Sequence, residues 1–158
     1  MSTHSILKNQ ILNVTYGEKN LITNLSNIAA ILYHNLDNIS WVGFYLVDGD
    51  ELAVGPYQGT LACSRFKTSD GVCGRAFSNN TTINVPDVRL FSGHITCDSL
   101  SQSELVIPIY VANKCIGVLD IDSYSKERFS HEEEIELTNI MGDVFKAFTI
   151  KNTKFMTE

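Results

Sequence analysis

Groups capable of chemistry converge on one stretch of the chain, residues 92–123, SGHITCDSLSQSELVIPIYVANKCIGVLDIDS. Cys97 stands in a polar loop, with Gly93-His94 before it and Asp98, Ser99 and Ser101 after it. A thiol in such a loop is accessible, and near a cation or backbone donors it can ionise and attack; read in isolation it is equally a chance surface cysteine. Glu104 stands at the entrance of one strand, and Asp120 and Asp122 alternate along another. Side chains two apart on a strand share a face, so these two acids share theirs with Ile116 and Val118. Carboxylates on an otherwise apolar face are costly to bury without a partner. A cationic ligand, or a proton kept on one of them, offsets that cost, since crowded like charges raise one pKa. The bland alternative is that Asp122 caps the strand into the Ser123–Ser125 turn.

Three other cysteines occur, Cys63, Cys73 and Cys115, and none forms a CxxC pair. Cys115 has the strand parity of Gly117, Leu119 and Ile121, which predicts an inert core thiol. Cys63, Cys73, His94 and Cys97 together make a donor set that zinc accepts, although their spacings do not match the common paired-ligand frameworks. His94 reads either as a group that stabilises a thiolate or as a solvated loop histidine. Trp41 and Tyr45, four apart on a strand, are core aromatics or the wall of a small pocket with a polar tip.

The elements that must position these groups follow from periodicity. Residues 4–14 carry Ile6, Leu7, Ile11, Leu12 and Val14 and predict a short helix, broken by Gly17. Over 18–35, Leu21, Ile22, Leu25, Ile28, Ala29 and Leu32 form a helical stripe that should pack on a sheet. Residues 40–47, SWVGFYLV, predict a strand with both faces covered, and 51–55 return as its hairpin partner. A short helix is expected near 71–78, a brief strand at 81–85 and a polar loop over 86–103. Long loops in a compact domain are usually functional or disordered, and three of the four cysteines lie between 56 and 103. Strands follow at 105–111 and 115–122, joined at Ala112-Asn113-Lys114, with Pro108 marking an edge or a bulge. Ser130-His131-Glu132-Glu133 is a capping box. It opens a helix with a stripe of Leu137, Ile140, Met141, Val144, Phe145 and Phe148, ending near Lys151 before a frayed tail, NTKFMTE. Short connections favour an α+β fold: an antiparallel sheet with helices on one face and a loop-covered pocket on the other.

The totals narrow the class. A chain of 158 residues is most simply one domain, and its size lets it bury roughly 70% of its unfolded surface without a disulfide staple. The formal charge of −6, with scattered Lys and Arg, argues against a nucleic-acid partner. No apolar run reaches membrane length, and the N-terminus lacks the pattern of a signal peptide, so a cytoplasmic location is expected.

In order along the chain, GPYQGTLACSRF, DGVCGRAF, NVPDV, FSGHITCDSLSQSELVIPI and IGVLDIDS resemble the free methionine-(R)-sulfoxide reductases, a family of stand-alone GAF-domain enzymes. The resemblance implies that Cys97 is the nucleophile, that Cys63 resolves it through a disulfide, and that Cys73 is an auxiliary cysteine in recycling. It implies that Glu104, Asp120 and Asp122 bind the substrate and that Trp41 and Tyr45 wall its methyl end. It further implies a homodimer, no metal or other cofactor, and regeneration by a thioredoxin-like reductant. The competing readings are a GAF-type module that senses a small molecule without catalysis and a zinc-bound structural module.

Overall fold

The computed structural model describes residues 2–148. The tail NTKFMTE lies outside the described residues, and the last helix, expected to run to about Lys151, ends at Lys146. Helix α1 (Thr3–Thr15) is capped by Ser2, and α2 (Leu21–Asn35) by Asn20, whose side chain accepts from the Thr23 amide. Six strands follow: β1 (Trp41–Asp48), β2 (Glu51–Gly59), β3 (Arg65–Lys67), β4 (Ile83–Val85), β5 (Ser103–Val111) and β6 (Lys114–Ser123). Helix α3 (Gly71–Asn79) separates β3 from β4, and α4 (His131–Lys146) follows β6. The strands form one sheet in the order β3-β2-β1-β6-β5-β4, with every neighbour antiparallel.

The sheet has an apolar cluster on each face. On one face α1, α2 and α4 cover Val42, Phe44, Ile107, Leu119 and Ile121, adding Leu7, Ile11, Leu25, Ile28, Leu32, Leu137 and Val144. The amphipathic stripes meet there as expected, except that Ile6, Val14 and Ile22 turn outward. The other face carries Trp41, Tyr45, Val106 and Val118, covered by Val72, Cys73 and Ala76 of α3. The expectation that all helices share one face therefore fails for α3. Its nine residues bury Val72, Cys73, Gly74 and Ala76 against the face that loops were expected to cover alone.

Other departures are local. Strand β2 continues to Gly59, four residues beyond the expected partner, and β3 was not foreseen because three residues with one apolar side chain carry too little periodicity. A 3-10 turn (Val88–Leu90) interrupts the expected loop. Ser130 accepts from the Glu133 amide, but the Glu133 carboxylate takes the Arg128 guanidinium at 2.6 Å, so only half of the capping box forms. Pro108 lies on β5 opposite Val118 of β6 and beyond the three residues that pair with β4, so the outer side of the strand is unpaired there.

One irregularity reassigns faces. The β5–β6 register slips between Ile109 and Tyr110, so Gly117 pairs with Ile109 while Cys115 pairs with Tyr110. The extra residue, Ile116, points to the helix-covered core, whereas Val118 points to the opposite face. Ile116 therefore does not share the face of Asp120, and Cys115 is half-buried near the hairpin end and not a core thiol. Gly117 has φ +155°, and a Cβ there would lie 2.0 Å from the Tyr45 carbonyl oxygen on β1. No side chain fits while β1 and β6 stay paired. Gly117→Ala is expected to lower stability by about 2 kcal/mol or more, through backbone strain and displaced pairing. A urea unfolding midpoint equal to that of the parent would show that the bulge is dispensable.

Candidate functional site

Sheet register assembles the acids. Asp122 pairs laterally with Trp41 on β1 and Glu104 on β5, while Asp120 pairs with Gly43 and Val106. Directly opposed residues share a face, so Glu104, Asp120 and Asp122 stand together with Trp41 and Tyr45. Gly43 is needed beside them, since a Cβ there would fall 2.3 Å from the Trp41 ring and 2.4 Å from the Tyr57 Cβ. With no side chain at Gly43, Trp41 stacks between Tyr45 and Tyr57, at centroid distances of 5.8 and 5.2 Å.

The aromatic residues have polar tips, and both tips hold the segment that carries Cys63. The Trp41 indole N–H donates to the Thr60 carbonyl at 3.1 Å, and the Tyr45 hydroxyl donates to the Cys63 carbonyl at 3.0 Å. Cys63 and Cys97 form a disulfide, with a Cα–Cα distance of 5.3 Å, that joins two loops 34 residues apart. The Cys97 loop is anchored separately. Gln102 donates from its backbone to Ser123 at 2.8 Å and from its side chain to the Tyr124 carbonyl at 2.6 Å. The Tyr124 hydroxyl donates to Asp98 at 2.7 Å.

Under the disulfide lies a cavity of about 50 Å³, lined by all eight residues singled out from the sequence as catalytic or substrate-binding except Cys63. Its walls also include Phe66, Val72, His94, Ile95 and Asp98. No lysine or arginine is among them. Phe66 escaped notice because it sits on the unforeseen β3, and Tyr57 because β2 was ended too early. His94 is not a solvated loop residue: its side chain is mostly buried and its Nε2 lies 3.4 Å from Glu104 Oε2. Burial holds its pKa below the ordinary imidazole value. The four-residue zinc set is not assembled, because the sulfurs of Cys63 and Cys97 are bonded to each other.

The acids carry the electrostatic consequence of their placement. Glu104 and Asp120 are buried, and Asp122 is half-buried. Burial, reinforced by Asp122, pushes Glu104 up to about 8. Burial followed by the charge of Glu104 drives Asp120 well above the carboxylate range, and burial followed by Asp120 does the same to Asp122. Cys73 is buried with its thiol 3.8 Å from Glu104 Oε1, and burial and Asp120 push its pKa up. Thus Glu104 holds a proton near neutral pH and can donate it, and the charged form of the cluster attracts a cation.

A carboxyl whose folded pKa is raised contributes stability below its unfolded pKa, and that contribution is lost as pH rises through the folded value. For Glu104 the loss spans the interval from about 4.5 to about 8. Glu104→Gln keeps the shape without the titrating proton. Its melting temperature relative to the parent is expected to rise between pH 5 and about pH 8 and to level off above that, by thermal unfolding in matched buffers. A pH-independent difference would mean that Glu104 ionises freely in the folded chain.

Comparison with known proteins places this geometry. The GAF domain family matches residues 20–145. The free methionine-R-sulfoxide reductase of Escherichia coli (strain K12) is 43% identical over 138 residues, covering 87% of this chain and 84% of that protein. The free methionine-R-sulfoxide reductase from Neisseria meningitidis, solved in complex with its substrate, superposes with a TM-score of 0.87 at 40% identity, over 92% of this chain and 87% of that one. The reduced form of fRMsr of Staphylococcus aureus superposes with a TM-score of 0.90 at 42% identity, over 94% and 97%. A six-stranded antiparallel GAF sheet bearing a cysteine pair over three acids, at these identities and coverages, makes this chain a member of the free methionine-R-sulfoxide reductase family.

Proposed function

We propose that this chain reduces free L-methionine (R)-sulfoxide to methionine, with Cys97 as nucleophile and Cys63 as the resolving thiol. The observation that carries it is the Cys63–Cys97 disulfide standing over a cavity that holds Glu104, Asp120 and Asp122. A sulfoxide sulfur is a poor electrophile until its oxygen is protonated or hydrogen-bonded. A protonated acid of the cluster supplies that proton, and a charged one holds the substrate ammonium. Trp41 and Tyr45 pack against the methyl end, and their polar tips keep the Cys63 segment in place.

The reaction closes in three steps. Cys97 thiolate attacks the sulfoxide sulfur, methionine leaves, and the oxygen remains on Cys97 as a sulfenic acid. Cys63 attacks that sulfur, releasing water and forming the disulfide. An external dithiol of the thioredoxin class then reduces the disulfide to two thiols and is itself oxidised. Cys73 is the auxiliary cysteine in that recycling. The R stereochemistry and a homodimeric state are carried over from the family resemblance, and a cytoplasmic setting agrees with the lack of a helix long and apolar enough to cross a membrane among the described residues.

Cys97→Ser is expected to abolish turnover of the free sulfoxide, assayed with a dithiol reductant, by at least about 10³-fold, the scale for loss of a nucleophile. Full retained turnover excludes the mechanism. N-acetylation removes the ammonium, so kcat/KM for N-acetylmethionine sulfoxide should fall at least about tenfold, the worth of one buried charge-assisted contact. Equal activity on blocked and free substrates would remove the acids from ammonium binding. Tight small-molecule binding without thiol-dependent turnover would instead favour a sensing module.

A further inference from the structure

We propose that Cys73, Glu104 and Asp120 also form a binding site for one divalent transition-metal ion of the zinc class. Among the described residues their ligand atoms all lie within 4.8 Å of one another. In a tetrahedral zinc site, with Zn–S of about 2.3 Å and Zn–O of about 2.0 Å, sulfur and oxygen ligands stand about 3.5 Å apart. Cys73 Sγ and Glu104 Oε1 are already 3.8 Å apart. The three side chains come from α3, β5 and β6, so their backbones are held by separate packed elements.

A second observation points into the same space. Asp120 is 6% exposed, and its Oδ1 is buried with no hydrogen-bond partner. A buried carboxylate oxygen left unpaired is costly unless a ligand meets it. The cavity supplies no lysine or arginine to do so. A dication reaching Asp120 would satisfy that oxygen and neutralise the neighbouring carboxylate and thiolate together.

The donor chemistry selects the ion. Calcium and magnesium prefer oxygen donors alone, whereas a thiolate with carboxylates suits zinc and its analogues. His94 lies outside this three-residue group, although its Nε2 is 3.4 Å from Glu104 Oε2. The group shares only Cys73 with the grouping visible in the sequence, and it needs neither sulfur of the disulfide. Because the ion would occupy the carboxylates assigned to the substrate ammonium, metal and substrate exclude each other; that consequence rests on the proposed function, whereas metal binding does not.

The test uses the full chain with its Cys63–Cys97 disulfide intact, which leaves Cys73 and Cys115 as the free thiols. Cobalt(II) is titrated in and read by thiolate-to-cobalt charge transfer and tetrahedral ligand-field absorption. The expected result is saturation at one equivalent and displacement by zinc. Cys73→Ser should remove the charge-transfer band. Asp120→Asn should weaken binding at least about tenfold, the lower range seen even for supporting residues of metal sites, while Cys115→Ser should change nothing. Absence of a stoichiometric band in the parent protein, its survival in Cys73→Ser, or its loss in Cys115→Ser would overturn the site. Displacement of cobalt by methionine sulfoxide supports both assignments. If the band forms, depends on Cys73, and resists methionine sulfoxide, the metal site stands and the substrate placement fails.

Discussion

The burial of carboxyl groups on one face of a sheet, with no lysine or arginine beside them, is the constraint on which the site depends. Glu104, Asp120 and Asp122 occupy adjacent positions on β5 and β6, and the cavity beside them contains neither lysine nor arginine. Fully ionised, such a trio would carry a desolvation penalty of several kcal/mol per charge. Burial keeps a proton on Glu104 near neutral pH and pushes Asp120 and Asp122 up with it, and Asp120 Oδ1 has no hydrogen-bond partner. Stability and chemistry are thus in tension here: the same crowding that costs folding energy produces a carboxylic acid able to donate near neutral pH.

The remaining architecture brings sulfur to those acids. One loop descends from the β2–β3 side of the sheet and the other from the β4–β5 side, and they meet at Cys63 and Cys97. Neither is held by apolar packing alone. Trp41 and Tyr45 use their rings to build the cavity wall and their polar tips to hold the backbone at Thr60 and Cys63. Asp98 and Gln102 tie the second loop to the end of β6 through Tyr124 and Ser123. A redox-active pair needs loops that can separate and rejoin, and a few directional hydrogen bonds permit that where a packed core would not.

Much of this is legible in the sequence. The 3.6-residue stripes of α2 and α4 reported the helix-covered face, because those helices bury one side against a broad sheet. The alternation of Trp41, Gly43 and Tyr45 against Val42, Phe44 and Leu46 reported a strand covered on both sides. Legibility failed where local pattern is short or broken. The bulge at Ile116 moves a single residue to the other face, and no period-2 count detects an inserted residue. Cys115 was misassigned for the same reason. Strand β3 is too brief to show a period, so Phe66 was lost with it. His94 carries no pattern of its own, so residue type and spacing leave its solvated and site-facing readings both open.

By itself the sequence determined which groups were available: three loop cysteines, three acids near two strands, and the apolar stripes that force a helix-covered antiparallel sheet. Residue types and spacing also carried the family resemblance, since motif matching needs no geometry. Only the tertiary structure decided that Glu104 stands beside Asp122 across two strands, that α3 brings Cys73 to the acids, and that His94 turns inward to Glu104. Those contacts join residues far apart in the chain, and their energies arise from register and burial. Neither exists until the sheet has closed.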